Sequence, residues 1–71
     1  MKILGIDPGY ATTGFGLLDA RHSALTLLQY GTVTTPPQLR FSERLSMLYD
    51  DMARLLEVTK PDAVAVEELF W

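Results

Sequence analysis

The sequence predicts an α/β fold: a three-stranded antiparallel meander, then a helix, then a fourth strand. Three β-type segments joined by short turns occupy the first half of the chain. An amphipathic helical pattern follows them, and a second short apolar run, Ala63–Val66, comes after it. A helix that connects two strands of one sheet forms a crossover, so we expect the last strand to lie parallel to the first.

The strand predictions come from apolar and β-branched runs that end in turn residues. The first run has no polar alternation, as in a strand buried on both faces, and Pro8-Gly9 ends it. The third is rich in β-branched residues. The predicted strands are residues 3–6, 13–19 and 25–35, with a polar turn at residues 20–23.

The helix is predicted from apolar residues that recur at spacings of four and three. These are Phe41, Leu45, Leu48, Met52 and Leu55. Thr35 followed three residues later by Gln38 is typical of an N-terminal helix cap, and Lys60-Pro61 is predicted to end the helix.

Most charged residues are expected to face solvent. Asp50 and Arg54 stand one helical turn apart, which favours a surface ion pair. His22 lies in a turn and Asp19 beside it, and both are expected to be solvated. Asp50 and Arg54 fall largely off the apolar stripe of the helix, as do Arg40, Glu43, Arg44 and Glu57, and Asp51 is also expected to be solvated.

Size and composition limit the possible functions. The 71 residues carry a net charge of -3 and include no cysteine, which excludes disulfides and thiolate zinc sites. No segment has the ~20 apolar residues of a membrane span, and no signal-peptide pattern occurs, so we expect a cytoplasmic protein. The mild acidity argues weakly against nucleic-acid binding. One helix covers one face of a sheet, which predicts that the chain is the front part of a larger domain.

Two apolar strands each end in a carboxylate. Asp7 follows the first and Glu67 follows the fourth, so both are expected at the carboxyl edge of the sheet. Gly5 and Ala65 share their faces and leave room beside them. Two carboxylates without a basic partner repel each other, and a hard divalent cation relieves the repulsion. The pattern predicts a Mg²⁺ site suited to phosphodiester hydrolysis, with a second metal at the leaving oxygen.

Each acid also has a plainer interpretation. Asp7-Pro8-Gly9 is a common turn sequence, and Glu67-Glu68 is equally typical of surface charge. The aromatic pair Phe70-Trp71 is more typical of a core or an interface than of base stacking. The presence of both acids around one crossover is what favours the metal site.

The motifs together resemble the RuvC family of Holliday junction resolvases. They are Gly5-Ile6-Asp7-Pro8-Gly9 with a following Thr13-Gly14-Phe15-Gly16, Arg44-Leu45 in the helix, and residues 61–67 followed by Phe70. The resemblance implies a ribonuclease H-like fold. Residues 1–71 would then be the N-terminal portion of a single nuclease domain whose C-terminal half is absent from this chain.

The resemblance also implies an activity and its residues. It implies an endonuclease that uses Mg²⁺, with Mn²⁺ as a substitute, to resolve four-way DNA junctions in recombination and repair. Such a protein would act as a homodimer that makes paired symmetric nicks, alongside the RuvA–RuvB branch-migration complex. Asp7 and Glu67 would be catalytic metal ligands, and Phe70 would contact DNA. Because further ligands and basic residues would lie beyond residue 71, the chain alone is predicted to be inactive.

Three alternatives remain open from the sequence. A nucleotide-binding domain of the actin, sugar-kinase and Hsp70 type also begins with a strand that ends Asp-x-Gly. No basic residue between Asp7 and Gly16 is available there to pair with a phosphate. A related RuvC-like protein acting on other nucleic acid, and a truncated remnant without catalysis, are the other two.

Overall fold

Four strands and one helix follow one another in the predicted order. The computed structural model describes residues 1–9 and 11–67. The elements are β1 (Lys2–Asp7), β2 (Thr12–Arg21), β3 (Ala24–Thr34), α1 (Phe41–Thr59) and β4 (Ala63–Val66). The helix of the described residues is not long and apolar enough to cross a membrane.

The strands form one mixed sheet in the order β3-β2-β1-β4. Neighbours β1, β2 and β3 pair antiparallel, and β4 pairs parallel to β1 from Ile3↔Ala63 to Ile6↔Val66. The Lys2 N–H donates to Asp62 Oδ2 at 2.7 Å, and the Asp62 N–H donates to the Lys2 carbonyl at 2.8 Å. The meander and the parallel fourth strand are therefore confirmed.

The β2–β3 hairpin is longer than predicted. The predicted turn at residues 20–23 is too wide, because Ala20 and Arg21 continue β2 and only His22 and Ser23 turn the chain. His22 is exposed and has a φ of 55°, as suits a tight turn. The prediction that Asp19 is solvated was wrong. Its half-buried carboxylate accepts from Arg21 Nε at 2.7 Å and from the N-terminal ammonium at 3.3 Å.

The two faces of the sheet differ in burial. Leu4 and Leu17 are register partners on one face and form the buried apolar core, with 0% and 5% of their surface exposed. Arg44 of α1 bonds to Thr35 on this face, so this is the side that the helix covers. Val64 and Val66 are exposed, because β4 is an edge strand that no described element covers. The run Ala63–Val66 has no polar alternation, which predicts a strand buried on both faces, and within the described residues that prediction is not met.

The helix begins later and packs differently than predicted. Its N-cap is Arg40, which makes no side-chain capping bond, so the predicted role of Thr35 as a cap is wrong. Phe41 and Leu45 are exposed, whereas the rest of the predicted stripe is half-buried. The predicted end is confirmed, since Lys60 closes the helix with φ 46° and donates its N–H to the Leu56 carbonyl.

Two charged residues of the helix also depart from prediction. Arg54 lies 3.8 Å from Asp51 and not beside Asp50, because residues three apart share a helix face as readily as residues four apart. Arg44 is only 7% exposed, and its Nε–H donates to Thr35 Oγ1 at 3.0 Å. The long arginine side chain reaches past the helix surface to the end of β3.

The turn after β1 requires glycine at position 9. A Cβ at Gly9 would collide with the Thr12 carbonyl oxygen, whereas a Cβ at Gly5 would lie 3.8 Å from the nearest atom, the Gly16 carbonyl oxygen. We expect Gly9→Ala to lower the free energy of unfolding by about 1–3 kcal/mol, since backbone must move. The matched Gly5→Ala should leave it unchanged or raise it by up to about 1 kcal/mol. Urea unfolding followed by circular dichroism tests this, and equal effects would contradict it.

Candidate metal centre

Asp7 and Glu67 lie side by side at the carboxyl edge of the sheet. The residues before them, Ile6 and Val66, are register partners on β1 and β4. The Glu67 N–H donates to the Ile6 carbonyl at 3.0 Å, which extends the pairing by one residue. The structure thus brings together the two acids that the sequence placed at the ends of matching strands.

The acids stand on one face of the sheet, beside residues with almost no side chain. Asp7 lies opposite Gly14 on β2, and two residues earlier Gly5 lies opposite both Gly16 and Ala65. These residues and the two acids line an open groove of about 630 Å³. The predicted space beside the acids is present, and β2 contributes to it as well as β1 and β4.

The groove glycines are not required by the backbone. None of the described glycines has a positive φ. An added Cβ at Gly5, Gly14 or Gly16 would meet its nearest neighbour at 3.8–3.9 Å, an ordinary contact distance. Strand glycines cost roughly 0.5–1 kcal/mol each relative to alanine, and they often mark a place where another backbone or a ligand approaches closely. Their positions leave the acids accessible from this face.

The two carboxylates perturb each other. A side-chain hydrogen bond with Asp7 raises the pKa of Glu67 above its ordinary value, and the negative charge of Asp7 and partial desolvation add to the rise. Within residues 1–9 and 11–67, no basic side chain forms an ion pair with either acid. The pair therefore holds its negative charge at a cost that a bound cation would remove.

The donor set fits a hard divalent cation. Carboxylate oxygens are the protein ligands that Mg²⁺ and Mn²⁺ prefer, and neither thiol nor imidazole lies in the groove lining. In the part of the chain that the structure describes, no group of three or more metal-ligating side chains occurs. Asp7 and Glu67 would thus be two of the ligands, with waters or a substrate phosphate beside them.

Other residues named from the sequence fall elsewhere. Phe70, the predicted DNA contact, lies outside the described residues, as do Glu68 and Trp71. The burial of Arg44 was missed. The signal was available, because Arg44 is three residues after Phe41 and four before Leu48, so it lies on the apolar stripe itself.

The fold and the acid pair define a class: an α/β domain of ribonuclease H-like topology with carboxylates at the carboxyl edge of the sheet. The sequence profile of the family described as crossover junction endodeoxyribonuclease RuvC matches residues 3–71. The chain therefore belongs to the RuvC family.

Similar proteins support the assignment in sequence and in structure. The crossover junction endodeoxyribonuclease RuvC of Syntrophomonas wolfei is 51% identical over 71 residues, which are 100% of this chain and 41% of that protein. The structure of Thermus thermophilus RuvC matches 100% of this chain and 45% of its own with a TM-score of 0.85 and 34% identity. The same protein in complex with a Holliday junction substrate matches with a TM-score of 0.85 and 44% of its chain covered. The chain spans less than half the length of these relatives.

The perturbed Glu67 predicts a pH dependence. Its folded-state pKa exceeds the ordinary value of 4.5, so protonation favours the folded state. This stabilising contribution is complete below the ordinary pKa and is lost as the pH rises through the folded-state value. Asp7→Asn removes the carboxylate that is the main cause of the shift, so the pKa of Glu67 should fall toward its ordinary value.

Carbon-detected NMR titration of the Glu67 carboxyl measures this shift. Glu57→Gln serves as a control, because it removes an exposed helical acid and should leave the titration of Glu67 unchanged. The same Glu67 titration in wild type and Asp7→Asn would show that the two carboxylates do not interact.

Proposed function

We propose that this chain supplies two metal ligands of a Mg²⁺-dependent endonuclease that nicks four-way DNA junctions by phosphodiester hydrolysis. The observation that carries the proposal is the pair Asp7 and Glu67, held side by side on β1 and β4, with the pKa of Glu67 raised by Asp7. Membership of the RuvC family and the T. thermophilus RuvC complex with a Holliday junction substrate support the substrate class.

The carboxylates of Asp7 and Glu67 would hold the cation, with Mn²⁺ able to replace Mg²⁺. When bound, such a cation lowers the pKa of a coordinated water and offsets charge that develops on the phosphate; a second ion would stabilise the leaving oxygen. Glu67 must lose its proton to bind the metal, so its raised pKa makes metal affinity increase with pH. The groove glycines Gly5, Gly14 and Gly16 would let the sugar-phosphate backbone of one DNA strand approach these acids.

The remaining parts of the proposal rest on the family resemblance. Phe70 would stack on a base at the opened crossover. A homodimer would place two such sites on opposing strands, which is what paired symmetric nicks require. We propose the cytoplasm as the site of action, in recombination and repair, with the RuvA–RuvB branch-migration complex as partner.

Activity is best tested in a protein of full family length. We suggest a chimera in which these 71 residues replace the matching segment of T. thermophilus RuvC, to which they are similar with a TM-score of 0.85. Asp7→Asn and Glu67→Gln should each reduce Mg²⁺-dependent junction nicking by about 10²–10³-fold or more, as expected when charge stabilisation is removed. Junction binding in a gel shift without Mg²⁺ should be retained.

The control for these variants is Glu57→Gln in the same chimera. It changes the net charge by the same amount as Glu67→Gln but lies on the exposed surface of α1. It should cleave at the wild-type rate. Undiminished cleavage by Asp7→Asn or Glu67→Gln in an active chimera would refute the proposed roles.

The 71-residue chain by itself should not cleave junctions. Its described residues provide two carboxylates and no larger ligand group, so Mg²⁺ would be held weakly. The same nicking assay, run with the chain at the concentration of the chimera, should show no product. Metal-dependent nicking by the chain that Asp7→Asn abolishes would overturn this prediction.

A further inference from the structure

Three polar residues are buried on the sheet face that α1 covers, close to the turn after Asp7. Thr13, Thr35 and Arg44 expose only 2%, 4% and 7% of their surface. A guanidinium is costly to bury unless hydrogen bonds compensate for its lost hydration. The position of the Arg44 side chain is therefore set by the protein groups that hydrogen-bond to it.

Hydrogen bonds connect Arg44 to the loop that follows β1. The Arg44 Nε–H donates to Thr35 Oγ1 at 3.0 Å, and the Thr35 N–H donates to the Ala11 carbonyl at 3.2 Å. At the other end of the loop, the Gly9 N–H is directed to Thr13 Oγ1 at 3.5 Å. The buried threonines thus contact the loop near both of its ends, and Asp7 immediately precedes it.

We propose that Arg44 is a positioning residue for Asp7. It acts through Thr35, whose N–H donates to the Ala11 carbonyl just before β2; β2 in turn pairs, through Gly14 opposite Asp7, with the end of β1 from which the Asp7 carboxylate projects. The inference rests on the proposed function, because it concerns the geometry of the same metal site. Mg²⁺ demands near-ideal octahedral geometry at ~2.0–2.1 Å, so a small displacement of one ligand weakens binding. The strand pairing brings Asp7 to the metal site without the Arg44–Thr35 hydrogen bond, so this bond is not required for the fold itself.

The decisive variant is Thr35→Val in the chimera, since it removes the hydroxyl and keeps the shape of the side chain. Loss of a group that bonds directly to a metal ligand typically costs about 10–100-fold in metal affinity, and Thr35 acts on Asp7 only through β2, so the lower end of that range applies. We therefore expect the Mn²⁺ dissociation constant, measured by electron paramagnetic resonance, to rise by about tenfold. Thr35→Ser keeps the hydroxyl and should restore the wild-type affinity. Arg44→Met should act in the same direction as Thr35→Val.

Two matched controls separate positioning from stability. Thr34→Val alters the neighbour of Thr35. Thr34 is exposed and faces the side of the sheet opposite to Thr35. Thr59→Val removes an equally buried hydroxyl, which donates to the Leu55 carbonyl at 2.8 Å, about 22 Å further along α1 than Arg44. Neither control should change the Mn²⁺ dissociation constant, whatever Thr59→Val does to the unfolding temperature.

The kinetics provide a second readout. Thr35→Val should reduce junction nicking at low Mg²⁺ and regain most of the rate at saturating Mg²⁺, because its defect lies in holding the metal. Junction affinity without metal should stay at the wild-type value. Wild-type Mn²⁺ affinity in Thr35→Val, or an equal loss in Thr59→Val, would overturn the proposal.

The Asp7→Asn chimera distinguishes the two possible failures. If Asp7→Asn abolishes Mn²⁺ binding and Thr35→Val leaves it unchanged, the positioning role is wrong and the proposed function stands. If Asp7→Asn retains full Mn²⁺ binding, the metal site itself is wrong and both proposals fail.

Discussion

The parallel pairing of β1 with β4 is the interaction on which the rest of the structure depends. It joins residues that are about 60 positions apart, and the reciprocal hydrogen bonds between Lys2 and Asp62 set its register at the amino end. From that register the strands run together to Ile6 and Val66, and the next residue on each is an acid. A shift of one residue would turn one carboxylate to the opposite face and separate the pair.

Several features of the site lower the stability of the fold, as is common at a binding surface. Asp7 and Glu67 repel each other when both are ionised, and the adjoining strands carry glycines that their contacts do not require. The chain exposes 5440 Å², whereas a compact monomer of its mass exposes about 4,400 Å². The excess includes apolar side chains on β3, such as Leu25 and Tyr30, and on β4. The fold that positions the acids therefore depends on a small core centred on Leu4 and Leu17.

Prediction from sequence was most successful where the pattern is local. Apolar runs with turn residues located all four strands, and a 3.6-residue period located the helix. The acids could be paired in advance because parallel strands end at one edge. Asp19 and Arg44 were placed in solvent because charge is usually exposed, yet the Arg21 side chain and the Thr35 hydroxyl give them partners. A composition rule cannot identify such partners.

The sequence by itself determined the order of the elements, the topology, and the placement of an acid at the end of β1 and of β4. Those features depend on periodicity and on the geometry of crossovers, which the chain carries locally. Only the tertiary structure decided that Thr35 bonds to Arg44 and not to the start of the helix. It also decided that glycines of β2 complete the groove beside Asp7. Both depend on contacts between segments distant in the chain, because hydrogen bonds and open space across a sheet exist only once the strands are assembled.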